Sequence, residues 1–218
     1  MMTSSQNIVE QPTRPAISSL DIPTNYTLTT DPKYMNCTQL HKIRDQSQCA
    51  ACYAFGVAEM VADRYCISSQ GKVNTILSPQ FILSCDEYEG NCYGGDIGNT
   101  LLYVKNYGIV TDSCLPFLAR NGSNLSCPNK CLDGSNWKLR YKVKNPNQIA
   151  QDDIQGMQQS ILQGGSIIAA FQVYEDFAHY KGGIYVHTGG AYIGGHVVKI
   201  VGFGETPSGI PYWVVANR

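Results

Sequence analysis

The sequence predicts an α+β fold in two lobes, because its helical and strand-like segments are separated along the chain. Helical patterns dominate up to residue 135, whereas short β-prone runs, separated by Gly pairs and Pro, dominate from Asn136 onward. Helices that precede strands instead of alternating with them are typical of α+β proteins. One helical pattern, Ile154–Leu162, interrupts the second half. We therefore expect a mainly helical lobe over 21–135 and a β-rich lobe over 136–218.

The first helix is expected to begin at Cys52, where a polar loop runs into an apolar segment. Apolar residues recur at helical spacing at Phe55, Ala58, Ala62 and Tyr65, with charged residues between them. Cys52 then lies in the first turn, where free backbone N–H groups and the helix dipole favour an anion. A thiol placed there loses its proton more readily, and the thiolate is the nucleophile. The segment predicts a reactive cysteine, although an ordinary buried cysteine fits the same pattern.

Two further helices and four strands follow from local signals. Ser78 suits an N-cap and Pro79 suits the first helical position, so a short helix is expected over Leu77–Leu83. A third helix is expected over Gly94–Tyr107, closed by Gly108. The β-prone runs are Leu139–Val143, Ser166–Val173, His196–Phe203 and Tyr212–Val215.

Composition excludes several classes of function. The formal net charge is −1 and no basic run occurs, which argues against nucleic acid as a partner. No stretch approaches the roughly 18 apolar residues of a membrane span, and Met1–Gln11 lacks the apolar core of a signal peptide. Residues 1–20 are rich in Ser, Thr and Pro, and we expect a disordered extension there. Nine cysteines indicate an oxidising compartment, as do four glycosylation sequons at Asn25, Asn36, Asn121 and Asn124.

Three segments resemble the active-site segments of papain-like cysteine proteases. Gln46 and the run Cys49-Ala50-Ala51-Cys52-Tyr53-Ala54-Phe55 are similar to the family's nucleophile pattern, Cys-Gly-Ser/Ala-Cys-Trp/Tyr. Gly194–Val198 resembles the family's His segment and Pro211–Asn217 its Asn segment, in the family's order. The resemblance extends from about Asp21 to Asn217. Within the family it is to the cathepsin B type, through Ile43–Gln46, Asp63–Ile67 and Ala169–Phe177.

The resemblance implies a papain-like fold with the active site in the cleft between the lobes. It assigns Cys52 as the nucleophile and His196 as its imidazolium partner and later proton donor. Asn217 would orient the His196 ring, and the Gln46 amide with the Cys52 N–H would form the oxyanion hole. From the residues alone, Gly94 and the glycine after it fit a simple turn equally well. By resemblance, the backbone that binds substrate includes Gly94, Gly95 and Gly195.

The resemblance also implies a disulfide framework. Sequence alone cannot give connectivity, and an odd count leaves at least one thiol free, metal-bound or paired outside the chain. Two alternatives stay open on the residues alone: a zinc site formed by Cys49, Cys52, Cys127 and Cys131, or a redox Cys49/Cys52 pair. The bridges implied by resemblance are Cys37–Cys66, Cys49–Cys92, Cys85–Cys127 and Cys114–Cys131, which leave Cys52 as the ninth cysteine.

Two departures from the cathepsin B type modify the expected function. Such members carry a long occluding loop with two adjacent histidines, whereas Cys114 and Cys127 here enclose only residues 115–126, without His. We therefore expect an open cleft and endopeptidase activity. The family also continues beyond the Asn segment, so we expect the second lobe to be C-terminally incomplete and residues 1–20 to be at most a remnant of a propeptide. The alternative is an inactive protease homologue, or a truncated fragment, that binds peptides or partners.

The resemblance further implies a monomer that acts without a metal or cofactor. Its expected partners are peptide or protein substrates and cystatin-like inhibitors, and neither nucleic acid nor a membrane. Its expected location is the lysosome or vacuole, or outside the cell.

Overall fold

The structure, a computed structural model, describes residues 21–123, 125–137 and 141–217, together with Ser18. Apart from a two-residue strand at Tyr26–Thr27, the α-helices precede or lead into an antiparallel sheet, which confirms the α+β prediction. None of the helices in these residues is long and apolar enough to cross a membrane. The helices are α1 (Cys52–Ser68), α2 (Pro79–Cys85), α3 (Ile97–Tyr107) and α4 (Ile154–Gly164), and the strands are β1 (Tyr26–Thr27), β2 (Ile167–Tyr174), β3 (Tyr192–Glu205) and β4 (Pro211–Ala216).

Strand β3 is the centre of the sheet. It pairs antiparallel with β2 over Tyr192–Ile200 and with β4 over Lys199–Glu205, and β1 pairs with it at Gly202 and Phe203. The first residues of β3 are largely exposed, whereas the stretch from Val197 to Gly204 is buried. His196 therefore lies where β3 passes from the surface into the interior.

Two hydrophobic clusters form the core. The first surrounds α1 and α2 and includes Tyr53, Phe55 and Phe81. The second lies against the sheet and includes Leu28 and Phe203. Leu28 precedes α1 but packs in the second cluster, because β1 carries this part of the chain onto β3. The prediction of a mainly helical lobe over 21–135 includes Leu28, although its side chain packs against the sheet.

One sequence-based boundary differs from the structure at a helix start, and two predicted segments are not fully described. Helix α3 begins at Ile97, not Gly94, because the Asp96 side chain caps it by accepting a hydrogen bond from the Asn99 N–H at 2.9 Å. Gly94 lies outside the helix with a φ of 104°. The predicted strand Leu139–Val143 is only partly described, since residues 138–140 lie outside the described residues. Tyr141 forms an isolated bridge to Ile109. The expected extension over 1–20 also lies outside them, apart from Ser18.

A buried ion-pair network joins α1 to β3. Lys199 is fully buried, and its Nζ lies 3.0 Å from Asp63 Oδ2 and 3.6 Å from Glu59 Oε2. Arg64 of α1 donates through Nε to the Ser166 carbonyl at 2.9 Å, immediately before β2. Buried charges are tolerated only when they are paired and hydrogen-bonded. The network therefore links α1 to β3 and to the residue before β2 through paired, buried groups.

Removing one carboxylate of this network should destabilise the fold. We expect Asp63→Ala to lower the free energy of unfolding by about 3 kcal/mol, because Lys199 then loses its nearest counter-ion while remaining buried. The matched control is Asp152→Ala, which removes an exposed carboxylate and should have a much smaller effect. Urea unfolding with the disulfides intact, followed by circular dichroism, measures both. Equal effects of the two variants would contradict this account of the network.

Candidate active site

Cys52 is the first residue of α1, and it is the free cysteine of the chain. It is half-buried, and the other eight cysteines form disulfides. Because Cys49 is bonded to Cys92, it is unavailable as a redox partner of Cys52. The zinc alternative required Cys49, Cys127 and Cys131 as thiolates, but all three are oxidised. The bridges are Cys37–Cys66, Cys49–Cys92, Cys85–Cys127 and Cys114–Cys131, the four pairs that the resemblance implied.

Two neighbouring strands bring His196 and Asn217 together. His196 is on β3, opposite Phe171 of β2, and the two rings pack edge to face at 5.9 Å. Asn217 follows directly after β4, which pairs with β3. The His196 Nε2 lies 2.7 Å from Asn217 Oδ1, a hydrogen bond in which Nε2–H donates. The imidazole is thereby oriented with its other nitrogen, Nδ1, available to the Cys52 thiol.

The surroundings of Cys52 lower the pKa of its thiol below the ordinary value. Burial alone would raise the pKa, because it penalises the thiolate. A hydrogen bond with the His196 side chain and the positive charge of that ring act in the opposite direction, as do the backbone N–H groups of Val197 and Tyr53. These contributions outweigh burial. The geometry thus favours a thiolate next to an imidazolium, which is the reactive state of a nucleophilic cysteine.

Gln46 lies in the loop that leads into α1. Its side-chain Nε2 donates to the Cys49 carbonyl at 3.1 Å, and its buried Oε1 accepts no hydrogen bond from the described residues. The chain reverses at Ser47, whose φ is 53°, and Asp45 accepts the Ser47 N–H at 2.7 Å. This turn fixes the loop, so the Gln46 amide is held close to the start of the helix.

The three glycines assigned to substrate binding have different surroundings. A Cβ on Gly95 would lie 2.6 Å from Tyr53 Cε2 and 2.5 Å from Glu89 Oε2, so packing requires glycine there. Gly94 has a φ of 104°, a conformation that favours glycine. A Cβ on Gly195 would meet nothing within 4 Å in the described part of the chain, which leaves open space beside His196.

Sequence reasoning missed two groups of residues around this site. Lys199 interrupts the apolar run that follows His196, and a charge in such a run is a signal of a buried ion pair. Its partners, Asp63 and Glu59, lie too far away in sequence to be identified. Glu89, which contacts Gly95, stands in a polar loop that carries no comparable signal.

Residues 27–218 match the family described as papain family cysteine protease. The chain belongs to the papain family of cysteine proteases. It is 39% identical over 214 residues to cathepsin B-like cysteine proteinase 4 of Caenorhabditis elegans, covering 85% of this chain and 63% of that protein. It is 36% identical over 213 residues to cathepsin B of Dictyostelium discoideum, covering 91% of this chain and 66% of that protein.

The fold is also similar to a solved structure, that of proCathepsin B S9 from Trypanosoma congolense. The TM-score is 0.82 at 30% sequence identity, and the match covers 97% of this chain and 72% of that one. The papain-like fold that the resemblance implied is therefore confirmed. The chain spans less than two thirds of the length of the two curated relatives it matches.

Alkylation of Cys52 should depend on pH through His196. We expect the rate of reaction with iodoacetamide to rise with a midpoint below that of an ordinary thiol. In His196→Ala the midpoint should move to higher pH, because burial remains while the hydrogen bond and the positive charge are lost. For each pH unit by which the midpoint rises, the thiolate fraction at a fixed pH below the midpoint falls about tenfold. The exposed His179→Ala is the control, and identical midpoints in all three proteins would refute the coupling.

Proposed function

We propose that this chain is a cysteine endopeptidase that cleaves peptide bonds with Cys52, His196 and Asn217. The observation that carries the proposal is a chain of hydrogen bonds. The free Cys52 thiol, whose pKa is lowered, is hydrogen-bonded to His196, and the His196 Nε2 lies 2.7 Å from Asn217 Oδ1. Nucleophile, base and orienting group are the three parts that amide hydrolysis by a thiol requires. Membership of the papain family supports the same chemistry.

In the first half-reaction, the Cys52 thiolate attacks the carbonyl carbon of the scissile peptide bond. The carbonyl π electrons move to oxygen, and the resulting oxyanion is bound by the Cys52 N–H and the Gln46 amide. When the carbonyl re-forms, the C–N bond breaks and the His196 imidazolium gives its proton to the leaving amine. The products are a free amine and a thioester on Cys52.

In the second half-reaction, neutral His196 takes a proton from water as the water oxygen attacks the thioester carbon. The C–S bond then breaks, releasing the carboxylic acid and restoring the thiolate–imidazolium pair. Asn217 keeps the ring in one orientation through both proton transfers. The Gln46 amide can serve the oxyanion by exchanging or sharing its hydrogen bond to the Cys49 carbonyl.

The substrate is proposed to be an extended peptide or protein segment that lies along Gly94–Gly95 and passes Gly195. The segment 115–126, where cathepsin B-type members have an occluding loop, is short in this chain. Disulfides anchor both of its ends, through Cys114 and Cys127. An open cleft accepts a chain that continues in both directions, which favours internal cleavage. Cystatin-like proteins are proposed as inhibitors. The four disulfides suit a lysosomal, vacuolar or secreted location.

Labelling with a cysteine-directed epoxide such as E-64 tests the proposal. We expect one stoichiometric adduct by intact mass, located on Cys52, because only an activated thiol in a formed cleft reacts stoichiometrically. The adduct should be absent in Cys52→Ala and strongly reduced in His196→Ala. In the same preparations, a peptide with a blocked C-terminus should be hydrolysed at least as well as its free-acid counterpart.

The outcomes of this experiment separate the alternatives. An adduct without His196 dependence would contradict the proposed base. Reaction of Cys52 only with a generic alkylating agent, with all four disulfides intact, would favour the non-catalytic, peptide-binding homologue. Preference for the free C-terminus would overturn the endopeptidase assignment and leave the chemistry intact.

A further inference from the structure

We propose that Glu89 is a positioning residue that holds the Gly94–Gly95 backbone in the shape that an extended peptide requires. This inference rests on the proposed function, which assigns substrate binding to that segment. Glu89 lies outside the line of catalytic groups. It would act on affinity for the peptide, not on the reactivity of Cys52.

The carboxylate of Glu89 contacts the segment directly. Its Oε2 accepts a hydrogen bond from the Asp96 N–H, the first backbone donor after Gly95. The same oxygen lies 2.5 Å from the position that a Cβ on Gly95 would occupy, and the Tyr53 ring lies at 2.6 Å. One face of Gly95 is therefore covered by Glu89 and Tyr53, while the residue itself remains exposed to solvent on the other.

Two consecutive glycines need such support. Glycine is the residue with the greatest backbone freedom, and that freedom is lost when a peptide pairs with it. Contacts that fix the segment in advance reduce this cost of binding. The chain before the glycines is already held, because Cys92 is bonded to Cys49 and the Tyr53 hydroxyl donates to the Asn91 carbonyl at 3.1 Å. Glu89 supplies a hydrogen bond on the other side, at the Asp96 N–H directly after Gly95.

A second buried carboxyl group, Asp86, makes this support sensitive to pH. Asp86 is 2% exposed, and its Oδ1 accepts the Tyr88 N–H at 3.2 Å. Its Oδ2 and the buried Oε1 of Glu89 have no hydrogen-bond partner among the described residues. Burial raises the pKa of Asp86, the hydrogen bond from Tyr88 lowers it, and the charge of Glu89 raises it. The resulting pKa is about 6. The ionisable side chain on which both carboxylates act is that of Tyr53, and Asp96 adjoins Glu89 through its backbone N–H.

The sign of the pH effect follows from that environment. Below about pH 6, Asp86 is protonated and neutral, so it places no negative charge beside the hydrogen bond from the Asp96 N–H to Glu89. Above that pH Asp86 carries a negative charge in a buried site, and its interaction with the carboxylate of Glu89 is then unfavourable. Peptide affinity should therefore be greatest in acid and should weaken as the pH rises through about 6.

Calorimetric titration of an extended, uncharged peptide into the Cys52→Ala protein tests the inference without requiring catalysis. Adding Glu89→Ala should raise Kd about tenfold, or roughly 1.4 kcal/mol. Glu89→Gln should stay within about threefold, because its amide oxygen can still accept the Asp96 N–H, and it should lose the weakening above pH 6. Glu87→Ala, an exposed acidic neighbour, is the matched control and should bind as the parent does.

The iodoacetamide reactivity of Cys52 provides the second readout. It should be unchanged in Glu89→Ala on the otherwise native chain, because positioning of the peptide segment leaves the thiol untouched. Unchanged Kd in Glu89→Ala would overturn the inference, and so would equal losses in the Gln and Ala variants or a parallel loss of Cys52 reactivity. A protein that binds the peptide as expected but forms no epoxide adduct would refute the proposed catalysis while sustaining the role of Glu89.

Discussion

Cys52 and His196 stand on different elements, and the contact between them requires α1 and β3 to be fixed against each other. Cys52 begins α1, whereas His196 lies where β3 enters the interior. Lys199, about 10 Å further along β3, is paired with Asp63 of α1 inside the protein. Because a hydrogen bond weakens within a few tenths of an ångström, a mobile junction would lose the thiolate–imidazolium pair. The buried ion pair therefore joins the two elements that the contact between Cys52 and His196 requires to stay in place.

The loops that face the cleft are held by a second kind of constraint. Disulfides at Cys85 and Cys92 fix the chain that leads into the glycine segment, and the Asp96 cap sets where α3 begins. Gly94 adopts a backbone conformation that other residues rarely adopt, and the side chains beside Gly95 restrict the backbone of the segment. Under the proposed function, reactivity and peptide affinity depend on separate supports: the first on the α1–β3 junction, the second on the covered face of Gly95. This separation explains how peptide binding could be tuned without altering the nucleophile.

Local patterns predicted more of this structure than long-range contacts did. The position of Cys52 at the start of α1 and the cap at Ser78 follow from signals within a few residues. Strand β1 was missed because two residues carry no period, and α3 was extended to Gly94 because a glycine pair does not reveal that Asp96 is the cap. The ion pairs of Lys199 join residues more than a hundred positions apart, so a single sequence cannot identify the partners. The disulfide pairing likewise came from resemblance and not from spacing.

The protonation of His196 tests the central claim most directly. If the imidazolium lowers the pKa of Cys52, then by linkage the thiolate must stabilise the imidazolium to the same extent. Nuclear magnetic resonance of the labelled ring, followed over pH in the wild-type protein and in Cys52→Ala, measures this coupling. The account predicts that His196 loses its proton at a clearly lower pH in Cys52→Ala. The same titration midpoint in both proteins would contradict the existence of the pair.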